Sequence, residues 1–108
     1  MGWYGGNPDQ RATAECRIAI AIDPDYGNPY NDIGNYLIRQ GHPDQAIPWL
    51  ERAIQAKNYE SREYPWSNLG TAYVAQRDYA KARECFLKAL QIRPDYAFAR
   101  SELAKLPK

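Results

Sequence analysis

The chain repeats itself. Tyr30, Ile33, Gly34 and Leu37 return as Trp66, Leu69, Gly70 and Tyr73, and Ala46, Leu50 and Ala53 return as Ala82, Phe86 and Ala89. The offset is 36 in both cases (66 minus 30, 82 minus 46). A partial third copy, Ala12, Cys16 and Ala19, precedes Ala46, Leu50 and Ala53 by 34 residues (46 minus 12). Pro24 thereby aligns with Asn58 and Pro94, and the two extra residues fall in the linker 58–63, where insertion costs little. Self-similarity at this period means stacked supersecondary units, each unable to bury its apolar face alone.

Each unit reads with helical period. Tyr30, Ile33, Gly34 and Leu37 stand at i, i+3, i+4 and i+7, a single stripe of an α-helix, and Ala46, Leu50 and Ala53 form a second stripe. Alternating strand patterns are absent. The periodicity predicts helices near 9–22, 28–40, 43–57, 64–76, 79–92 and 96–106. Gln40-Gly41-His42-Pro43-Asp44 stops one helix with glycine and opens the next with proline and an acid. Asp23-Pro24-Asp25 and Arg93-Pro94-Asp95 stop their helices in the same way. Turns this short force antiparallel helix pairs. Gly34 and Gly70 lie where the first helix of a pair must let the second approach. Pro48, inside a predicted helix, implies a mild bend or a late helix start.

Composition narrows the function classes. The 108 residues are 44% hydrophobic and 25% charged with a formal net charge of +1, which fits one small domain with a thin core. So even a balance gives no electrostatic footprint for nucleic acid or an anionic membrane. No apolar run approaches the roughly 20 residues of a membrane span. The start, Met1-Gly2-Trp3-Tyr4-Gly5-Gly6, lacks the basic and apolar regions of a secretory signal. Cys16 and Cys85 fall on apolar helix faces, so free buried thiols and a cytoplasmic location are expected. The single histidine, His42, sits in an interhelix turn, and no cluster has metal-ligand spacing. Neither catalysis, nor a cofactor or metal, nor a small-molecule substrate is expected.

These residues resemble the tetratricopeptide repeat family, whose pattern of about 34 residues places Trp, Leu, Gly and Tyr on helix A and Ala, Phe and Ala on helix B, with a closing Pro. Trp66, Leu69, Gly70, Tyr73, Tyr79, Ala82, Phe86, Ala89 and Pro94 match it nearly completely. Tyr30, Ile33, Gly34, Leu37, Ala46, Leu50 and Ala53 match well, with Asn58 in place of the proline. The resemblance implies an all-α fold: an α-solenoid, a right-handed superhelix of antiparallel helix pairs. It divides the chain into a partial repeat with helix B only (1–26), a second repeat (27–62), a third (63–96) and a C-terminal capping helix (97–108). That is about two and a half repeats plus a cap.

The resemblance also implies a function. The A helices of such repeats line a concave groove that takes a peptide or helix of a protein partner. The groove positions fall on Asn28, Asn31, Asn35, Ile38 and Arg39 in the second repeat and on Tyr64, Ser67, Asn68, Thr71 and Val74 in the third. Asparagines can donate and accept along a peptide backbone, and Arg39 offers a fork for a carboxylate. Some relatives clamp the acidic C-terminus of a chaperone with two asparagines and three basic residues. Asn35 and Asn68 fall at the asparagine positions, but Asn31, Phe98 and Glu102 occupy the basic ones, so an acidic chaperone tail is not an expected ligand. The absent first helix A leaves an apolar face on the 9–22 helix. The alternative function is therefore self-assembly into a homodimer through that helix, with Trp3, Tyr4, Ile18 and Ile22 as the contact residues.

Overall fold

The computed structural model describes residues 8–107. Six helices follow one another among them: α1 (Pro8–Ile22), α2 (Asn28–Arg39), α3 (Pro43–Gln55), α4 (Glu63–Ala75), α5 (Tyr79–Ile92) and α6 (Ala97–Lys105). Each lies within two residues of its predicted bounds, and no strand occurs among the described residues. The helices pack in chain order, α1 on α2, α2 on α3, and onward to α5 on α6. The α2–α3 and α4–α5 pairs form the two complete units. The result is an α-solenoid of helix pairs about 49 Å long and 21 Å at its thinnest.

The turn inside each unit is built the same way twice. After α2, His42 N donates to Leu37 O at 2.8 Å and Gly41 N to Ile38 O at 3.0 Å. This is a Schellman cap, and Gly41 takes the left-handed backbone it requires, at φ 86°. After α4, Asp78 N donates to Tyr73 O and Arg77 N to Val74 O, both at 2.9 Å. The turn is thus conserved in geometry while the left-handed position passes to a non-glycine residue, Arg77, at φ 61°. Asp78 then caps α5 by accepting from Lys81 N at 3.3 Å.

The helices of a unit meet at glycine. A Cβ built on Gly34 would lie 2.5 Å from Leu50 Cδ2, and one on Gly70 would lie 2.7 Å from Phe86 Cε1. Leu50 and Phe86 are fully buried, flanked by Ala46 and Ala53 and by Ala82 and Ala89. Phe86, Ala82, Ala89, Ala99 and Leu106 make one cluster between α4, α5 and α6. Ala46, Leu50, Leu69 and Cys85 make a second, and Tyr30, Ala53 and Tyr59 a third. Pro48 produces no late start: α3 begins at Pro43 and runs through it. Pro48 is exposed, and the hydrogen bond that it removes lies near the helix N-terminus.

The linkers between units are ordered by specific bonds. Gly27 N donates to Asn58 O and Asn58 N to Asp25 O, both at 2.9 Å, which ties the first linker to the second. Tyr59 lays its ring on Gly27, within 2.7 Å of where a Cβ would stand. The Arg62 guanidinium donates to Ile54 O at 2.9 Å and also to the carbonyls of Ala56 and Tyr59. It satisfies the open C-terminal carbonyls of α3, which have no intrahelical partner.

Two stability predictions follow from these geometries. Gly34→Ala lowers unfolding free energy by about 1–3 kcal/mol through overpacking. Leu50→Ala makes the two substitutions strongly non-additive in a denaturation cycle, because the clash is with Leu50 itself. Arg77→Gly has the opposite sign: it raises stability by about 1 kcal/mol by relieving a left-handed backbone on a Cβ-bearing residue, as read from a shift in the denaturant midpoint.

Candidate partner-binding surface

The ten residues expected to line a groove all lie on α2 and α4, which pack side by side. The fold divides them. Asn28, Arg39 and Tyr64 are exposed, and Asn35, Asn68 and Thr71 are half-buried. Asn68 Nδ2 donates to Asn31 Oδ1 at 2.9 Å, joining the two helices along their shared seam. Thr71 Oγ1 donates back to Ser67 O at 3.2 Å, within its own helix. The Arg39 guanidinium lies over the Tyr36 ring at 4.8 Å.

Four of the ten turn inward. Ser67 is 1% exposed and Asn31 is 8% exposed. Neither stands open to a partner, and both are corrected from surface to core. Ser67 is enclosed by the helices around α4, and Asn31 has its amide oxygen taken up by Asn68. Ile38 is half-buried against the Ala46–Leu50–Leu69–Cys85 cluster, and Val74 against the cluster around Phe86. Asn31 meets the neighbouring A helix, while Ile38 and Val74 meet clusters to which their own B helices contribute, so period alone overstates the open face.

The outer end of this face opens into a cleft of about 590 Å³, walled by Tyr26, Asn28, Lys57, Asn58, Tyr59, Glu60, Ser61 and Tyr64. Asn28 and Tyr64 belong both to the cleft and to the A-helix face. The floor is the linker that carries the two inserted residues, held in place by Arg62. Burial pushes the Tyr59 phenol well above its usual range, with the Asp32 and Glu63 carboxylates adding to it, so Tyr59 presents a neutral ring. Aromatic surface continues beyond the cleft. Tyr64 meets Tyr96 edge-on at 5.6 Å, and Tyr96 lies 6.1 Å from the half-exposed Phe98. Arg93 covers Tyr96 at 5.3 Å and approaches the Tyr64 hydroxyl at 3.5 Å. Helical periodicity did not reveal the cleft. The only trace in the sequence is the lengthened linker with its tyrosines.

Of the residues expected to mediate self-association, two are described. Trp3 and Tyr4 lie outside the described residues. Ile18 and Ile22 are exposed on α1, at 62% and 79%.

A second cleft of about 300 Å³ lies between α3, α4 and α5, lined by residues including Glu51, Trp66, Tyr73, Glu84 and Cys85. Cys85 and Cys16 are both free and buried. Burial, followed by the carboxylates of Glu84, Glu51 and Asp78, pushes the Cys85 thiol up to about 12. A thiol held neutral in this way is a poor nucleophile at neutral pH. His42 is exposed at the start of α3. Among the described residues no group of three or more histidine, cysteine or acidic side chains could hold a metal ion, and no helix is long and apolar enough to cross a membrane.

The Cys85 environment predicts a pH dependence. The folded thiol keeps its proton up to about 12, while the unfolded thiol releases it near its ordinary value. The contribution is complete below about pH 8.5 and falls by roughly 1.4 kcal/mol per pH unit above it. Denaturant titrations at rising alkaline pH therefore show a steeper loss for the natural chain than for Cys85→Ala.

Two segments match the tetratricopeptide repeat pattern, residues 30–57 and 64–96. Together they cover the α2–α3 and α4–α5 pairs. The chain is 30% identical over 95 residues to the type IV pilus assembly protein PilF of Pseudomonas aeruginosa, a match that takes in 88% of this chain and 38% of that protein. It is 35% identical over 74 residues to the mitochondrial import receptor subunit TOM70 of Saccharomyces cerevisiae, covering 67% of this chain and 11% of the receptor subunit. It is 29% identical over 73 residues to the mouse superkiller complex protein 3, covering 68% of this chain and 4% of that protein. The chain thus spans well under half the length of these curated relatives.

Proposed function

The chain belongs to the tetratricopeptide repeat family, and from that premise we propose that it is a protein–protein interaction scaffold that holds a peptide or helix of its partner along the α2–α4 face. The observation that carries this reading is the meeting of that face with the tyrosine-walled cleft at Asn28 and Tyr64. Rigid aromatic walls supply contact area at small entropic cost, and the amides of Asn28, Asn35 and Asn68 can donate and accept along a backbone. A partner segment would lie across the A helices with one end in the cleft, in the helix-in-groove or extended mode. The relatives fit a scaffold, since they are named as an assembly protein, a receptor subunit and a complex member. Two buried free thiols support a reducing compartment, and the reading places the module in the cytoplasm.

The reading is tested with a partner captured by the natural chain and confirmed by purified binding. Tyr64→Ala combined with Asn35→Ala weakens that binding by about tenfold or more, the scale of an interface anchor, while helicity by circular dichroism is unchanged. Unaltered affinity in the double variant would move the site off this face.

A second reading is favoured by one observation. Ile18 and Ile22 are among the most exposed large apolar side chains described. Association of copies through α1 would cover them.

A further inference from the structure

The cleft between α3, α4 and α5 has a counterpart between α1, α2 and α3, and the internal repeat shows how the two differ. Glu51 and Ile54 stand 34 residues after Arg17 and Ile20 (51 minus 17, 54 minus 20). Trp66 and Cys85 stand 36 residues after Tyr30 and Trp49 (66 minus 30, 85 minus 49). In the earlier place the Arg17 guanidinium lies over the Trp49 ring at 5.1 Å, and Arg52 lies over Trp49 at 5.3 Å and over Tyr30 at 4.6 Å. In the later place a thiol replaces the indole, a carboxylate replaces the Arg17 guanidinium, and a cleft of about 300 Å³ is open. We propose that this cleft takes an arginine side chain of a partner protein, supplying the guanidinium that its lining lacks. The site shares no residue with the tyrosine-walled cleft or with the ten groove positions, so the inference goes beyond the function proposed above and does not depend on it.

The lining suits such a side chain from stem to head. Glu51 and Ile54 stand at i and i+3 on α3, and Lys81 and Glu84 do the same on α5, so each helix turns one stripe to the cleft. Cys85 is 4% exposed, and its thiol has no hydrogen-bond partner among the described residues. Half-buried Ile54, Trp66 and Tyr73 give the aliphatic stem apolar contact and the planar head two aromatic rings. The exposed Glu51 and Glu84 bring one carboxylate from each B helix, and both can accept N–H groups of the guanidinium fork.

Charge selects the occupant. Lys81 is the cation of the lining; it lies 5.5 Å from the Tyr73 ring and 3.8 Å from the Asp78 carboxylate. The ion pairs among the described residues join Lys81 to Asp78, Arg93 to Glu63 and Asp95, and Lys105 to Glu102, and none of them involves Glu51 or Glu84. With Asp78 included, the carboxylates outnumber the ammonium. Their field reaches the floor, since after burial it is the carboxylates of Glu84, Glu51 and Asp78 that raise the Cys85 thiol. Two carboxylates on separate helices favour the forked, ring-stacking guanidinium over the point charge of a lysine. The arginine belongs to a protein chain, because free arginine would bring its own carboxylate to face Glu51 and Glu84.

Chemical-shift mapping of the whole chain at low salt tests this, with a glycine pentapeptide blocked at both ends and carrying one central arginine. The expected result is saturable binding at about millimolar, the scale of a single side chain, centred on the Trp66 indole and the amides of Glu51 and Glu84. The same peptide with citrulline, alike in shape but uncharged, leaves those resonances in place. Glu51→Gln combined with Glu84→Gln weakens arginine binding by about tenfold, while Lys81→Ala tightens it by about twofold, and circular dichroism shows both variants folded. Loss of fold would not move the two variants in opposite directions. Equal shifts with citrulline, or arginine binding that the double variant leaves unchanged, would overturn the charge recognition. A lysine peptide that binds as tightly would overturn the choice of guanidinium, and no saturable shift in the cleft would overturn the site.

Discussion

The contact between glycine on an A helix and a large side chain on its B helix is the constraint on which the rest depends. Gly34 against Leu50 and Gly70 against Phe86 bring the two backbones of a unit close enough for the flanking alanines to be fully buried. A thin domain has little apolar volume to use, and close approach compensates by leaving no gap for a larger side chain to fill. Once both pairs are locked in this way, their repetition fixes which faces remain. One side of α2 meets α4 along a shared seam.

The linkers are the second determinant. A two-residue insertion could have produced a slack loop. Instead Arg62 reaches back to the carbonyls that end α3, Asn58 bonds to the first linker, and Tyr59 is buried against Gly27. The insertion therefore becomes the floor of a cleft. Asn28 and Tyr64, at the N-termini of the two A helices, lie at its edge because each helix starts where its linker ends. The candidate surface is thus a joint product of regular repeats and one irregular linker.

Much of the fold was legible in the residues. The i, i+3, i+4, i+7 stripes placed six helices, Gly41 marked its turn, and the paired glycines marked the close approach. The site was legible only in part. Asn28 and Tyr64, expected on the groove from their register, are on the cleft wall, but Asn31 and Ser67 are buried, because a helical wheel cannot show that α2 and α4 lie against each other and that Asn68 bonds across the seam. The cleft was not found, since no periodic pattern describes a linker. Arg77 is a further case: its sequence gave no sign of a left-handed turn, and the demand comes from the cap geometry that it shares with Gly41.

By itself the sequence determined the repeat unit, its helical register, the pairing of helices through short turns and the absence of a strong charge bias. All of these are local or periodic properties, written in spacing and residue type. Tertiary structure decided which polar residues stay wet, how the inserted linker closes around Arg62, and that a cleft is open between α3, α4 and α5 where the preceding helices set a guanidinium over a ring. Those outcomes depend on distances between residues far apart in the chain, and packing alone sets such distances.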